Sequence, residues 1–290
     1  MIKKGFTMIE LSPSMVFIGL LLVSIAAVTI QVTNIYQKGL AIRTVNATGQ
    51  ELVDEFSRAI KTAPTKGLTY RCNSIGLGDT DKCSDDGAYV YIYHQDYAII
   101  NLDGGTVEVP THGVFCTGRY SYAWNTGYSL GDYGINDHQA TLEYNLKGET
   151  EKKTLSDFRL IRIVDDSSSL CRGHAPDYIN SNAKTFEVSN LKEEPYELLT
   201  KTDTDLVLYD FVVFRPTQHS LTLLSFFSGT FILGTIKGGV NITSTGDYCT
   251  EPPDNLSTDF NYCMINKFNF AIRATGELTD EEKVERQRYL

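Results

Sequence analysis

Tryptophan, histidine and proline are scarce in this sequence, and the shortages exclude several kinds of function. One Trp, five His and eight Pro occur in 290 residues. The few His are scattered, and none of the six cysteines forms a C-x-x-C pair, so no zinc-site spacing is present. Basic side chains are outnumbered 26 to 36, for a formal charge of −10. That balance opposes general nucleic-acid binding, which uses a basic face. Internal repeats and low-complexity blocks are absent, and no pattern asks for a cofactor. The charged fraction of 21% and hydrophobic fraction of 42% are those of a folded protein rather than a disordered one. The length suits one N-terminal device and one domain.

The most localised absence is of charge. No charged residue lies between Glu10 and Lys38, and the run from Leu11 to about Tyr36 is apolar. At about 1.5 Å per residue it crosses a ~30 Å hydrocarbon layer as a helix. Lys3 and Lys4 on the short leading flank keep that end cytoplasmic and place the bulk of the chain outside. A secretory signal peptide has a shorter apolar core followed by a small-residue cleavage site. Here the small residue, Gly5, comes first. A plain membrane anchor leaves Glu10 unexplained, because a carboxylate in a spanning helix costs on the order of a few kcal/mol without a partner.

The string Lys3-Lys-Gly-Phe-Thr-Met-Ile-Glu10 ahead of an apolar stretch resembles the class III signal of type IV prepilins. The resemblance implies a leader, 1–5, cut by prepilin peptidase between Gly5 and Phe6, with methylation of the new Phe6 amine. It implies that Glu10, about one helical turn from that amine, pairs with it across neighbouring subunits and sets their register. Each charge is costly alone in a low-dielectric bundle, and pairing recovers much of that cost. The implied partners are other pilin subunits, the peptidase and the inner-membrane assembly machinery. The implied function is structural rather than enzymatic: a subunit of a type IV pilus-like filament serving adhesion, motility or DNA uptake. A pseudopilin of a type II secretion system and a membrane-anchored surface protein that never polymerises are the alternatives. The precursor would sit in the cytoplasmic membrane with its head outside, and the assembled subunit in a cell-surface filament. Many pilins carry a proline midway along the apolar half. This chain instead has Pro13, which lacks an N–H and is expected to kink or loosen the helix there.

Periodicity continues past the apolar run. Ile42, Val45, Gly49, Leu52, Val53, Phe56 and Ile60 recur at three- and four-residue steps, with Arg43, Gln50, Glu51, Asp54, Glu55 and Arg58 filling the other face. This spacing predicts an amphipathic helix over 37–62, continuous with the spanning half 6–36 and ending before Pro64 and Gly67. The remainder, 63–290, reads as a β-rich extracellular head. Ala88–Tyr93 and Tyr97–Leu102 are expected to form a hairpin. Val114–Trp124, Ala140–Leu146, Phe158–Val164 and Lys267–Arg273 are further strands, and Leu206–Phe214 and Leu221–Leu233 pair in the core. The expected fold class is α+β, a long N-terminal helix packed on an antiparallel sheet. The size of the head resembles that of PilW-type minor pilins.

The even cysteine count, loop-like surroundings and export signal favour three disulfides. Sequence proximity favours Cys72–Cys83 and Cys249–Cys263, leaving Cys116–Cys171. Cys249 and Cys263 also resemble the disulfide-bounded C-terminal loop of pilins. Two rival chemistries are weaker. Gly127-Tyr-Ser-Leu-Gly131 fits the G-x-S-x-G nucleophile elbow, but turn-forming residues follow it and His138, His174 and His219 lie in no second motif. Asp79, Asp81, Asp85 and Asp86 form an acidic loop able to hold calcium, yet Cys83 and Ser84 break the EF-hand pattern. A solvated loop accounts for it better.

Overall fold

Apart from Pro13, helix-compatible sequence produces one very long helix. In the computed structural model of the chain, α1 runs Met8–Lys61, 54 residues or about 81 Å. The structure describes residues 8–63, 92–102, 105–131, 133–166, 169–172, 184–199, 205–214, 226–236, 240–241, 248–249 and 263–273. The helical backbone is continuous through Pro13. At its other end Arg58 and Lys61 occupy the last turn, where cations suit the helix dipole. Thr62 N–H still bonds Arg58 O at 3.0 Å, and Ala63 N–H bonds Ile60 O at 3.2 Å. The next residue is Pro64, which disfavours helical backbone in the residue before it.

The head then forms β1 (Ile92–Leu102), β2 (Gly105–Cys116), β3 (Tyr120–Asn125), the single turn α2 (Gly127–Leu130), β4 (Thr141–Leu146), β5 (Lys153–Leu155) and β6 (Leu160–Val164). A second short helix, α3 (Ser169–Arg172), leads to β7 (Thr185–Leu191), β8 (Tyr196–Glu197), β9 (Leu206–Phe214) and β10 (Phe226–Thr235). Two short strands, β11 (Val240–Asn241) and β12 (Tyr248–Cys249), precede β13 (Ile265–Arg273). They assemble into sheets ordered β1-β2-β3-β6-β8, β5-β4-β7 and β13-β10-β9, with β11 paired to β12. The head is predominantly antiparallel. The exception among the ladders between named strands is β4 with β7, which run parallel.

Two strand expectations need correction. Ile92–Leu102 is one strand, and its hairpin partner is β2, with Leu102 opposite Gly105 and Ile92 opposite Cys116. The polar stretch His94-Gln95-Asp96 produces a shift of register at Asp96/Tyr97 rather than a reversal. The two strands meet with Leu102 opposite Gly105, and the sequence between them is Asp-Gly, the stronger hairpin signal. Val114–Trp124 is likewise two strands, because Gly118 takes φ 85° and Thr117 N–H closes the turn onto Tyr120 O at 2.8 Å.

Alternation along β3 divides the interior. Tyr122 and Trp124 face one way, into a core with Val45, Leu52, Phe56 and Ile60 of α1 and Phe211, Phe231, Phe268 and Phe270 of the β13-β10-β9 sheet. Ala123 faces the other way, into a core with Leu142, Phe158, Ile161 and Phe186 that includes the Cys116–Cys171 disulfide. A third cluster gathers Ile100, Val109, Tyr128, Val207 and Tyr209 around α2.

Candidate functional site: the two halves of the N-terminal helix

The two halves of α1 meet different surroundings. Phe17 is 65% exposed, Leu20 66% and Ile35 73%, and the large apolar side chains between them are also bare. Ser24, Thr29 and Thr33 turn their hydroxyls back onto helix carbonyls at about one turn's distance, with bonds of 2.9 to 3.1 Å, so they present carbon outward. Among the described residues this is the helix long and apolar enough to cross a membrane. From Ala41 onward the same helix is buried along one stripe, with Val45 and Phe56 at 0%.

Close approach is achieved at Gly49. A Cβ there would run into the Phe268 ring, so glycine lets β13 lie directly against the helix. Asn266 donates to Asn46 Oδ1 at 2.8 Å one turn earlier. Phe56 is the hub of the aromatic core, with ring centroids 4.8 Å from Phe211, 5.2 Å from Tyr122, 5.8 Å from Phe231 and 5.9 Å from Phe270. Truncating such a side chain costs about 3–5 kcal/mol.

Beside that hub is a polar clamp that sequence reasoning missed. Glu55 Oε1 accepts from Arg162 Nη1 at 2.9 Å and from the Tyr122 hydroxyl at 3.0 Å. Burial, reinforced by the Glu55 charge and hydrogen bond, pushes the Tyr122 phenol well above its ordinary range. Burial works against the charge on Arg162, but Glu55 more than offsets it and the pKa is raised. The guanidinium also lies 5.3 Å from the Tyr120 ring centre and 5.5 Å from that of Tyr196. The periodicity assigns Glu55 to the polar face of the helix, and the structure corrects this: its partner is 107 residues away, so no local signal marks it.

The expected site residues are distributed as follows. Gly5 and Phe6 lie outside the described residues. Glu10 belongs to α1 by its backbone, and its side chain is outside the description. Asp79, Asp81, Asp85 and Asp86 also lie outside, as do Cys72 and Cys83. The Cys116–Cys171 pairing is present with Cα atoms 6.3 Å apart. Cys263 is disulfide-bonded too, while the side chain of Cys249 is outside the described set. Among the described residues no cysteine is free, and no group of His, Cys, Asp and Glu is placed to hold a metal.

Ser129 of the G-x-S-x-G string is fully buried within α2, and its hydroxyl bonds Thr111 O at 2.7 Å and Thr126 O at 3.1 Å. Next in sequence to Thr111 stands His112. Its Nε2 lies 2.7 Å from Asp96 Oδ2, and its Nδ1 contacts Thr111 Oγ1 and His138 O at 3.1 Å. The Ser129 hydroxyl is thus directed at backbone carbonyls, not at an imidazole.

Searches with the whole chain against protein-family models, curated proteins and solved structures return no match.

Proposed function

We propose that this chain is a subunit of a type IV pilin-like filament, made as a precursor, cut between Gly5 and Phe6, and polymerised through α1. The observation that carries the reading is the change of character along one continuous helix. Its first half is apolar and bare, and its second half is built into the core of a β-rich head. Such a helix has two successive environments to satisfy, a bilayer before assembly and a helix bundle afterwards. The head keeps its own core in both. Lys3, Lys4, Gly5, Phe6 and Glu10 supply the processing and register elements in the order that the prepilin resemblance requires.

In this reading 1–5 is the leader, 6–36 the spanning and assembly half, 37–62 the amphipathic half and 63–290 the extracellular head. The precursor is a single-pass protein of the cytoplasmic membrane. Its partners are prepilin peptidase, the inner-membrane assembly machinery and other pilin subunits. The large head favours a minor subunit, and the activity is assembly rather than catalysis. Two measurements test this. The protein should appear in sheared surface filaments, and Gly5→Val should leave the leader attached and exclude it from them. Normal processing of Gly5→Val, or absence of the native protein from filaments, contradicts the proposal.

A further inference from the structure

A single carboxylate oxygen joins the two segments that carry the Cys116–Cys171 disulfide. Asp165 Oδ2 accepts from Ser121 Oγ at 2.9 Å and from Leu170 N–H at 3.0 Å. Ser121 lies on β3 directly opposite Cys116 of β2, and Leu170 immediately precedes Cys171 on α3. The other oxygen, Oδ1, accepts from Ser169 Oγ at 2.9 Å. Asp165 N–H bonds Arg119 O at 3.1 Å, in the turn between β2 and β3. Ser121, Cys116 and Cys171 are fully buried, and Leu170 and Asp165 nearly so. None of these bonds involves sulfur, so this framework can stand before the S–S bond is made.

We propose that Asp165 is a positioning residue for disulfide formation: its carboxylate holds α3 against the β2–β3 hairpin before oxidation and so selects Cys171, among the other cysteines, as the partner of Cys116. The step is thiol–disulfide exchange, with an external disulfide as the oxidant. The thiolate of one cysteine attacks that disulfide, forms a mixed disulfide and expels one thiolate. The second cysteine loses its proton, attacks the protein sulfur of the mixed disulfide and expels the other half of the oxidant. Two protein thiols are thus oxidised by two electrons, and the oxidant's S–S bond is reduced to two thiols, which take up the two protons. Asp165 exchanges no electrons. It raises the effective concentration at which the two thiols meet. A carboxylate suits the task, because both its oxygens accept and bonds to a charged acceptor are about twice as strong as neutral ones.

This inference does not depend on the chain's entering a filament. The test uses the full-length chain in detergent, equilibrated with defined ratios of reduced and oxidised glutathione at a temperature where the reduced chain stays folded. Differential alkylation and mass spectrometry of the peptides that contain Cys116 and Cys171 give the effective concentration of the pair. Asp165→Asn should lower it at least about fivefold, as the weakening of several hydrogen bonds to a charged group requires. It should also move Cys116 into mixed disulfides with glutathione or with other cysteines. Ser121→Ala cuts one bond to the hairpin and should lower the effective concentration by a smaller factor; it decides the matter if Asp165→Asn does not fold. Leu142→Ala, on β4 in the same core, separates positioning from general stability. It should lower the unfolding midpoint yet leave the effective concentration within about twofold of the native chain, as an independent site does. An unchanged effective concentration in folded Asp165→Asn, or in Ser121→Ala where Asp165→Asn does not fold, overturns the proposal. So does a fall in Leu142→Ala as large as theirs.

Discussion

The ring of Phe268 occupies the space into which a Cβ on Gly49 would project. Phe268 is itself stacked on Phe231 with ring centroids 5.2 Å apart, so it has little room to retreat. Gly49→Ala is therefore expected to destabilise the helix–head junction by about 1–3 kcal/mol despite alanine's better helix propensity. Thermal unfolding of the full chain in detergent measures this. Pairing Gly49→Ala with Phe268→Leu should recover part of the loss, since the smaller side chain vacates the position.

Loss of the clamp on the second half of α1 should be felt through Arg162. Glu55→Gln leaves a half-buried guanidinium without its carboxylate, and a loss of about 1–3 kcal/mol is expected. Tyr122→Phe keeps the Glu55–Arg162 pair and removes one hydrogen bond, so its cost should be smaller, about 1 kcal/mol. Denaturant unfolding of the two variants gives the order. A larger loss for Tyr122→Phe would contradict the assignment of Glu55 and Arg162 as the main polar link.

The acid limit of the head should involve Asp165. The residue is 4% exposed, and its carboxylate accepts from Ser121 Oγ and Ser169 Oγ at 2.9 Å and from Leu170 N–H at 3.0 Å. Burial alone would raise its pKa, and the backbone and side-chain hydrogen bonds reverse the sign and hold it below the usual carboxylate value of 3.8. A depressed folded pKa stabilises the fold above the unfolded pKa of about 3.9, and the contribution is lost as pH falls through the folded value. Stability of the native head should fall in that acid window. Asp165→Asn should be less stable at neutral pH and show a shallower acid dependence.

Reduction should act chiefly through Cys116–Cys171, which closes a sequence separation of 55 residues within the second core. Loop-closure arithmetic gives about 4 kcal/mol for such a link. The double variant Cys116→Ser/Cys171→Ser should lower the unfolding midpoint accordingly, with the sheet β5-β4-β7 showing the greatest gain in hydrogen exchange.

What the sequence reveals and what it hides divide along the range of the interactions. The end of α1 is legible in Pro64, and β9 and β13 in the strongly apolar run Leu206–Phe214, broken only by Asp210, and the alternating pattern Lys267–Arg273. Phe268 and Phe270 fall on the buried face that the alternation indicates. Partner choice is less legible. The β1–β2 hairpin was hidden because polar His94-Gln95-Asp96 looks like a turn, and the parallel β4–β7 pair because nothing local specifies it. The Glu55–Arg162 pair is invisible for the same reason, since it exists only once α1 and β6 have packed.

The central claim is that Phe6 becomes the first residue and Glu10 its assembly partner. Intact-mass and N-terminal peptide analysis of the protein recovered from sheared filaments tests it most directly. The account predicts a chain beginning at a methylated Phe6, and a Glu10→Ala form that is processed but left in the membrane. A filament-bound chain that still carries Met1–Gly5, or a Glu10→Ala form that enters filaments at the native level, would contradict it.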